Sequence, residues 1–417
     1  VFERFKRFLK LDLASRPRLI FLLLTLRHFF APRATHVSLP VEGDTEPSAP
    51  AILFVDGSMP RDDRDAGAVS ICQFMQLFVD HGWQVYLWPF DQIDRPELRS
   101  YLSSKGIRVV LSSRRAAALP NWLHGNAARF DVVFISRPAL AAYLLPWLKN
   151  RQFQLVYYGH DLHGERFAQE AVLTGYWELG LVARRYHMLE KYICGAVDLS
   201  FYPSVQEVDA LKSGVPEAKI MELPPYGFDF SKLAAAVPPA GAQLLFVGNF
   251  GHLPNVDAAI WLVDEIWPRI RQSVPEAKLV IAGSAPPAPL RRRVHRSELG
   301  ITLTGWVPEQ RLDALYLESR LVIVPLRFGA GVKHKVVSAV VRGCPVVTTE
   351  IGLQGLDELF NNVGLAHNPA DFAKQCQPLI DNDQLWISRV QSARTALSSR
   401  FSSDTMWKAL RNLHQEA

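Results

Sequence analysis

Short apolar runs in this chain recur at strand length, separated by helical stretches, and the whole pattern occurs twice. The first series covers residues 51–55, 84–88, 108–111, 131–135 and 154–158; the second covers 243–247, 278–282, 301–304, 321–324 and 345–348. Helical patterns over residues 69–81, 256–270 and 309–318 lie between them. Strands joined through helices run parallel, because a crossover returns the chain to the same end of the sheet, and the crossovers cover both faces. The pattern breaks between Leu223-Pro-Pro-Tyr-Gly-Phe-Asp229 and Pro238-Pro239. The expectation is an α/β fold: two doubly wound parallel-sheet domains, residues 51–230 and 231–385, facing a cleft. Open α/β sheets take ligands at the carboxyl edge of their strands, and hinged halves can close on them. Residues 386–417 read as helices that cross back to the first domain.

Charge sharpens this picture. The chain of 417 residues carries a formal +5 at pH 7, yet residues 1–33 alone carry +6. The body is therefore close to neutral, which excludes a general nucleic-acid footprint. Residues 1–37 form a basic helical segment. In its first part, Phe2, Phe5, Phe8, Leu9 and Leu13 share one side of a helical wheel, away from Arg4, Lys6, Arg7 and Lys10. The apolar run at 19–26 is too short for a span of ~20 residues. Residues 1–33 are thus expected either on the surface of an anionic membrane or against protein. A Pro-, acid- and Ser-rich linker follows at 38–50. The first residue is Val, not Met, as expected of a processed chain or of one excised from a longer chain. The four cysteines stand far apart with no CxxC pair. That suits a reducing, cytoplasmic setting, at the inner face of the plasma membrane if the basic segment binds there.

The stretch with most chemistry is Val324-Pro-Leu-Arg-Phe-Gly-Ala-Gly-Val-Lys-His-Lys335. A strand ends at Pro325, and Gly329-Ala330-Gly331 opens a helix expected from Val332. Small residues let backbone amides approach an anion, and a helix start adds partial positive charge. Arg327, Lys333 and Lys335 supply full charges, a combination suited to a pyrophosphate. In the first half, His160, Asp161 and His163 follow the strand that ends at Tyr158, where cleft-facing residues stand. They are candidates to contact a ligand in the cleft. Asp63 and Asp65 read as a solvated loop before Gly67 begins a helix near the phosphates, and no metal is expected.

Gly331-x-Lys333-x-Lys335, with Ala339 and Gly343-x-Pro345-Val-Val-Thr348, resembles the donor-binding region of GT-B glycosyltransferases of family 4. Phe246-Val-Gly-Asn-Phe-Gly-His252-x-Pro254-Asn255-x-Asp257 is similar to the opening of that family's C-terminal domain, and Asp161-Leu-His163-x-x-Arg166 to a segment of one branch. The resemblance covers residues 51 to about 410. Much of the family carries two glutamates in an E-x7-E pattern; Ala330 and Ser338 stand there instead, so the chain resembles a branch lacking the pair. Asn249, His252 and Asn255 stand where an Arg and a Lys often follow the first strand of that domain.

The resemblance implies two Rossmann-like domains, an acceptor domain and a nucleotide-sugar donor domain. It implies transfer of a sugar from a nucleotide-diphosphate sugar to a glycan or lipid-linked glycan, with retention, in surface polysaccharide synthesis. Donor and phosphate contacts are then expected from Gly67, Gly248, Asn249, His252, Asn255, Gly329, Ala330, Gly331, Lys333, Lys335 and Ser338. Catalytic roles fall to His163, Asp161, His160, Lys333 and Arg327. The nucleotide sugar is a substrate, and no cofactor is expected. Two other readings stay open: a catalytically silent sugar- or nucleotide-binding module attached to an adjoining domain or partner of a polysaccharide synthase, and a nucleotide-sugar epimerase.

Overall fold

The computed structural model describes residues 49–61, 66–112, 119–296 and 300–414. The basic segment at 1–37, most of the linker at 38–50, and Asp63 and Asp65 lie outside the described residues. The described chain forms two compact units. One holds the residues up to Pro225 together with the chain from Met406 onward, and the other holds Tyr226–Thr405.

Unit 1 is built on β1 (Ala51–Asp56), β2 (Gln84–Pro89), β3 (Ile107–Val109), β4 (Val132–Ser136), β5 (Gln154–Tyr158), β6 (Leu199–Tyr202) and β7 (Ile220–Glu222). They form one parallel sheet in the order β3-β2-β1-β4-β5-β6-β7. Ile52 of β1 pairs with Val85 on one side and Val132 on the other. The chain therefore winds outward from β1, then returns past it to β4. That reversal opens a crevice at the carboxyl ends of β1 and β4.

Both faces of the sheet are apolar, because helices cover each of them. Ile52 and Phe54 join Phe74, Phe78, Phe134 and Tyr158 on one face, while Leu53 and Val55 join Trp88, Ile135 and Tyr157 on the other. The helix Ala66–Asp80 lies on the first face, with Phe74 edge-on to Tyr158 at 4.9 Å. Met406, Leu410 and Leu413 complete this face, and Trp407 stacks on His81 at 3.7 Å.

Unit 2 repeats the plan with β8 (Gln243–Val247), β9 (Lys278–Ala282), β10 (Ile301–Gly305), β11 (Leu321–Val324), β12 (Val346–Thr348) and β13 (Gly364–Leu365), in the order β10-β9-β8-β11-β12-β13. The reversal lies between β8 and β11. Each unit thus has the Rossmann-like, doubly wound order, and the expected pair of parallel-sheet α/β domains is the observed fold.

The structure departs from the sequence pattern in several places. β6, β7 and β13 were not expected; they have four residues or fewer and carry no continuous apolar run. The helix expected at 256–270 is three pieces: Leu253–Trp261, a π-helical turn Leu262–Ile266, and Trp267–Ser273. Pro268 cannot donate to the carbonyl four residues back and its ring crowds that carbonyl, so the wider turn precedes it. The helix expected from Val332 begins at His334. The strand expected from Arg108 starts and ends earlier, as Ile107–Val109.

Candidate functional site

In unit 2 the loops that leave β8 and β11 stand side by side at the sheet reversal. Gly329 and Gly331 take φ values of 145° and 74°, which L side chains rarely adopt, so the tight path after β11 depends on glycine. Lys333 then caps the helix His334–Val341 from the position before its first turn. Its side chain is buried, and its ammonium donates to the Gly331 carbonyl at 2.5 Å and to Gln354 Oε1 at 3.3 Å. The cation is therefore held in place before any ligand arrives.

Lys335 crosses to the other loop. Its Nζ donates to Asn255 Oδ1 at 2.5 Å and lies 4.9 Å above the Phe246 ring. Asn255 in turn donates to the Asn249 carbonyl at 2.7 Å, and the Asn249 side chain accepts the Gly251 amide at 2.8 Å. Burial, with help from Lys333, lowers the Lys335 ammonium from the usual lysine range to about 7. An arriving anion favours its charged form. Gly248 lies against Asn255, where an added Cβ would meet the Asn255 side chain at 3.1 Å.

The structure places the remaining unit 2 candidates differently. Arg327 is committed to Asp257 by two bonds, at 2.9 and 2.5 Å, and lies over the Trp261 ring at 5.3 Å. It braces the loop after β11 against the helix Leu253–Trp261. Ser338 is buried in the helix His334–Val341, its hydroxyl 3.1 Å from His334 Nε2. His334 packs on Tyr226 at 4.5 Å, and burial holds its imidazole neutral, down to about 3. Ala330 is half-buried on the loop, and His252 precedes the helix Leu253–Trp261 as its cap residue.

In unit 1 a second cluster forms at the reversal between β1 and β4. Asp56 ends β1 buried, accepts the Gly57 amide at 2.7 Å and pairs with Arg137 Nε at 3.1 Å. Burial works against its charge, but Arg137 and His160 outweigh it and lower its pKa. Arg137 follows β4 with φ 76°. Gly67 lies where a Cβ would come within 3.2 Å of Arg137 Nη2 and 3.3 Å of His160 Cε1. The start of the helix Ala66–Asp80 is thus pressed onto this cluster. His160 is held neutral at about 3, first by burial and then by Arg137. Among the described residues its buried Nε2 has no hydrogen-bond partner, as suits a group that meets a ligand.

Asp161 and His163 belong to a different set of contacts. His163 Nδ1 lies 2.6 Å from Asp161 Oδ1, and Arg166 Nη1 lies 2.5 Å from Asp161 Oδ2. Burial opposes its charge, yet Arg166 and His163 hold the Asp161 carboxyl well below the usual range. Behind it, Glu190 of the helix Trp177–Cys194 accepts the His163 amide at 2.6 Å and so caps the helix His163–Thr174. Burial, then Asp161, pushes Glu190 up to about 8, despite the amides of His163 and Gly164.

The folded state thus keeps a proton on Glu190 that the unfolded chain releases near 4.5. Its contribution to stability is present below the ordinary carboxylate range and is lost as pH rises through the folded value. We expect the stability advantage of the wild type over Glu190→Gln to shrink from about pH 5 to pH 8. Urea midpoints of both proteins across that range measure it, and an advantage that grows with pH contradicts the protonated Glu190.

The structure therefore brings Gly248, Asn249, Asn255, Lys333 and Lys335 together in unit 2, and Gly67 with His160 in unit 1. Asp161 pairs with His163 and Arg166. Sequence reasoning missed Asp56, Arg137, Glu190 and Gln354. Asp56 and Arg137 carried a signal, a charged residue at the carboxyl end of a core strand. Glu190 carried none, since a mid-helix glutamate reads as solvated.

Residues 241–382 match the family model described as Glycosyl transferases group 1. A curated relative, an uncharacterized 44.6 kDa protein in the cps region of Klebsiella pneumoniae, is 27% identical over 213 residues, covering 50% of this chain and 52% of the relative. The chain thus spans about half the length of the curated relative it matches. Among solved structures, sucrose-phosphate synthase from Thermosynechococcus elongatus superposes with a TM-score of 0.66 at 14% identity, over 88% of this chain and 98% of the other. Anabaena HepE in complex with UDP-glucose gives 0.66 at 15% identity, over 88% and 100%. Staphylococcus aureus TarM, crystallised with UDP and α-GlcNAc-glycerol, gives 0.57 at 15%, over 72% and 59%. These likenesses show the shared GT-B fold, and the family match places a Glycosyl transferases group 1 domain at residues 241–382, over most of unit 2.

Proposed function

We propose that the protein is a glycosyltransferase that moves a sugar from a nucleotide-diphosphate sugar to a glycan or lipid-linked glycan, with retention of configuration. The observation that carries this reading is the coincidence of the group 1 match with the loop Gly329–Lys335, which sets two positive-φ glycines and two lysines at the sheet reversal, with Lys335 bonded to Asn255. In this mechanism the bond between the anomeric carbon and the diphosphate breaks. Lys333 and the loop amides stabilise the charge that develops on the leaving oxygen. The acceptor oxygen bonds to the same face of the sugar, and its proton passes to the departing phosphate. No protein nucleophile is needed. In unit 1, His160, whose Nε2 has no partner among the described residues, and the Asp161–His163 pair are the groups proposed to orient an acceptor hydroxyl. The relative from a cps region and the UDP-bound structures make UDP-sugars and surface polysaccharide synthesis the first assignments to test.

The test is a thermal-shift series with UDP, GDP, dTDP and their sugar conjugates, followed by release of the nucleotide. UDP is expected to raise the midpoint, since a ligand at a hundred times its Kd adds about 2.7 kcal/mol to the native state. Shifts with none of the nucleotides would remove the donor site. Binding without turnover, with any acceptor extract, would favour the silent module, consistent with Ala330 and Ser338 at the positions of the family's glutamates.

A further inference from the structure

The helix Trp177–Cys194 is apolar on two sides. Its inner side, including Leu179, Val182, Tyr186, Leu189 and Ile193, is buried in unit 1. On its outer side Trp177 is 73% exposed, Leu181 39%, Met188 64% and Tyr192 50%. Spacings of four, seven and four place these four on one stripe, roughly 60° wide and ~22 Å long. Arg184 and Lys191 border this stripe, within about 40° of its edge, and are exposed. Val172, near the end of the preceding helix, is 87% exposed as well. Single exposed apolar side chains are ordinary, but a contiguous stripe of them marks an interaction surface.

We infer that this stripe seats on an anionic lipid bilayer. A tryptophan and a tyrosine at its two ends, aliphatic side chains between, and two lysine or arginine heads suit the headgroup boundary, where aromatic rings settle and cations meet lipid phosphate. Charge selects this occupant over the others. Residues 1–33 carry +6 and would set like charge against Arg184 and Lys191. A second copy paired about the middle of the stripe would bring Arg184 onto itself. No helix of the described residues is long and apolar enough to cross a membrane, so the contact is peripheral. The inference does not depend on the proposed chemistry.

Vesicle co-sedimentation of the full chain tests it, with phosphatidylcholine alone and with phosphatidylglycerol added. One variant combines Trp177→Asp with Met188→Asp; a second combines Arg184→Glu with Lys191→Glu. Residues 1–33 are unchanged in both, so any binding through them is common to all three proteins. Each variant is expected to lose more than about tenfold in affinity for phosphatidylglycerol vesicles. Thermal midpoints and nucleotide release should stay at wild-type levels, which separates this result from failure of the donor site. Either variant binding like the wild type overturns the inference. So does equal wild-type binding to neutral vesicles, or a wild-type dimer that the variants convert to monomer without any vesicle binding.

Discussion

Lys333→Ala should lower turnover of the nucleotide sugar by about two to three powers of ten, the range for loss of one preorganised donor to a developing oxyanion. The prediction rests on how the side chain is held. Its ammonium is buried and fixed by the Gly331 carbonyl and Gln354, so its charge needs no reorganisation when the leaving diphosphate forms. Arg327→Ala should cost far less, because that guanidinium is already bound to Asp257 through two bonds. Steady-state rates of nucleotide release decide the order. Wild-type turnover in Lys333→Ala, or a larger loss in Arg327→Ala, would mean that the diphosphate lies elsewhere.

Gly283→Ala should be the most damaging single methyl in unit 2. Gly283 follows β9, Gly248 follows β8, and an added Cβ at Gly283 would lie 1.7 Å from the Gly248 carbonyl oxygen. No side-chain rotation relieves a clash with backbone. The Gly248 amide bonds the Ala282 carbonyl at 2.9 Å, and the Gly283 amide bonds the Gly305 carbonyl at 2.9 Å. The methyl must therefore part the ends of two core strands, and the expected loss is about 3 kcal/mol, the upper range for overpacking. Gly57→Ala is the matched control, since a Cβ there meets nothing within 4 Å. Urea unfolding compares the two, and a loss in Gly283→Ala no larger than in the control refutes the close approach. The displaced strand ends also carry Gly248 and Asn249, so nucleotide binding should weaken along with stability.

Much of the fold was legible because its cause is local. A parallel strand buried on both faces needs a continuous apolar run, and a crossover helix needs an amphipathic one, so residues 51–55 and 243–247 announced themselves. β7 and β13 did not, because short pairing at a sheet edge draws stability from its neighbours instead of from its own side chains. The glycine loop was legible for the same local reason: Gly329 and Gly331 adopt backbone angles that other residues resist.

Roles within the two clusters were not legible, because they depend on partners far away in the chain. Arg327 and Lys333 read alike as cations near a glycine loop. Only the fold sets Asp257, 70 residues earlier, against Arg327, and Gln354 against Lys333. Glu190 lies 27 residues after the amide it caps. The sequence by itself determined two doubly wound sheets and the glycine-dependent path of one loop, since both follow from short-range sterics and apolar periodicity. The tertiary structure decided the partner of each cation: Asp257 for Arg327, the Gly331 carbonyl and Gln354 for Lys333, and Asn255 for Lys335. It also decided which carboxyl keeps its proton, because charge and burial at a side chain are set by whatever the fold packs against it.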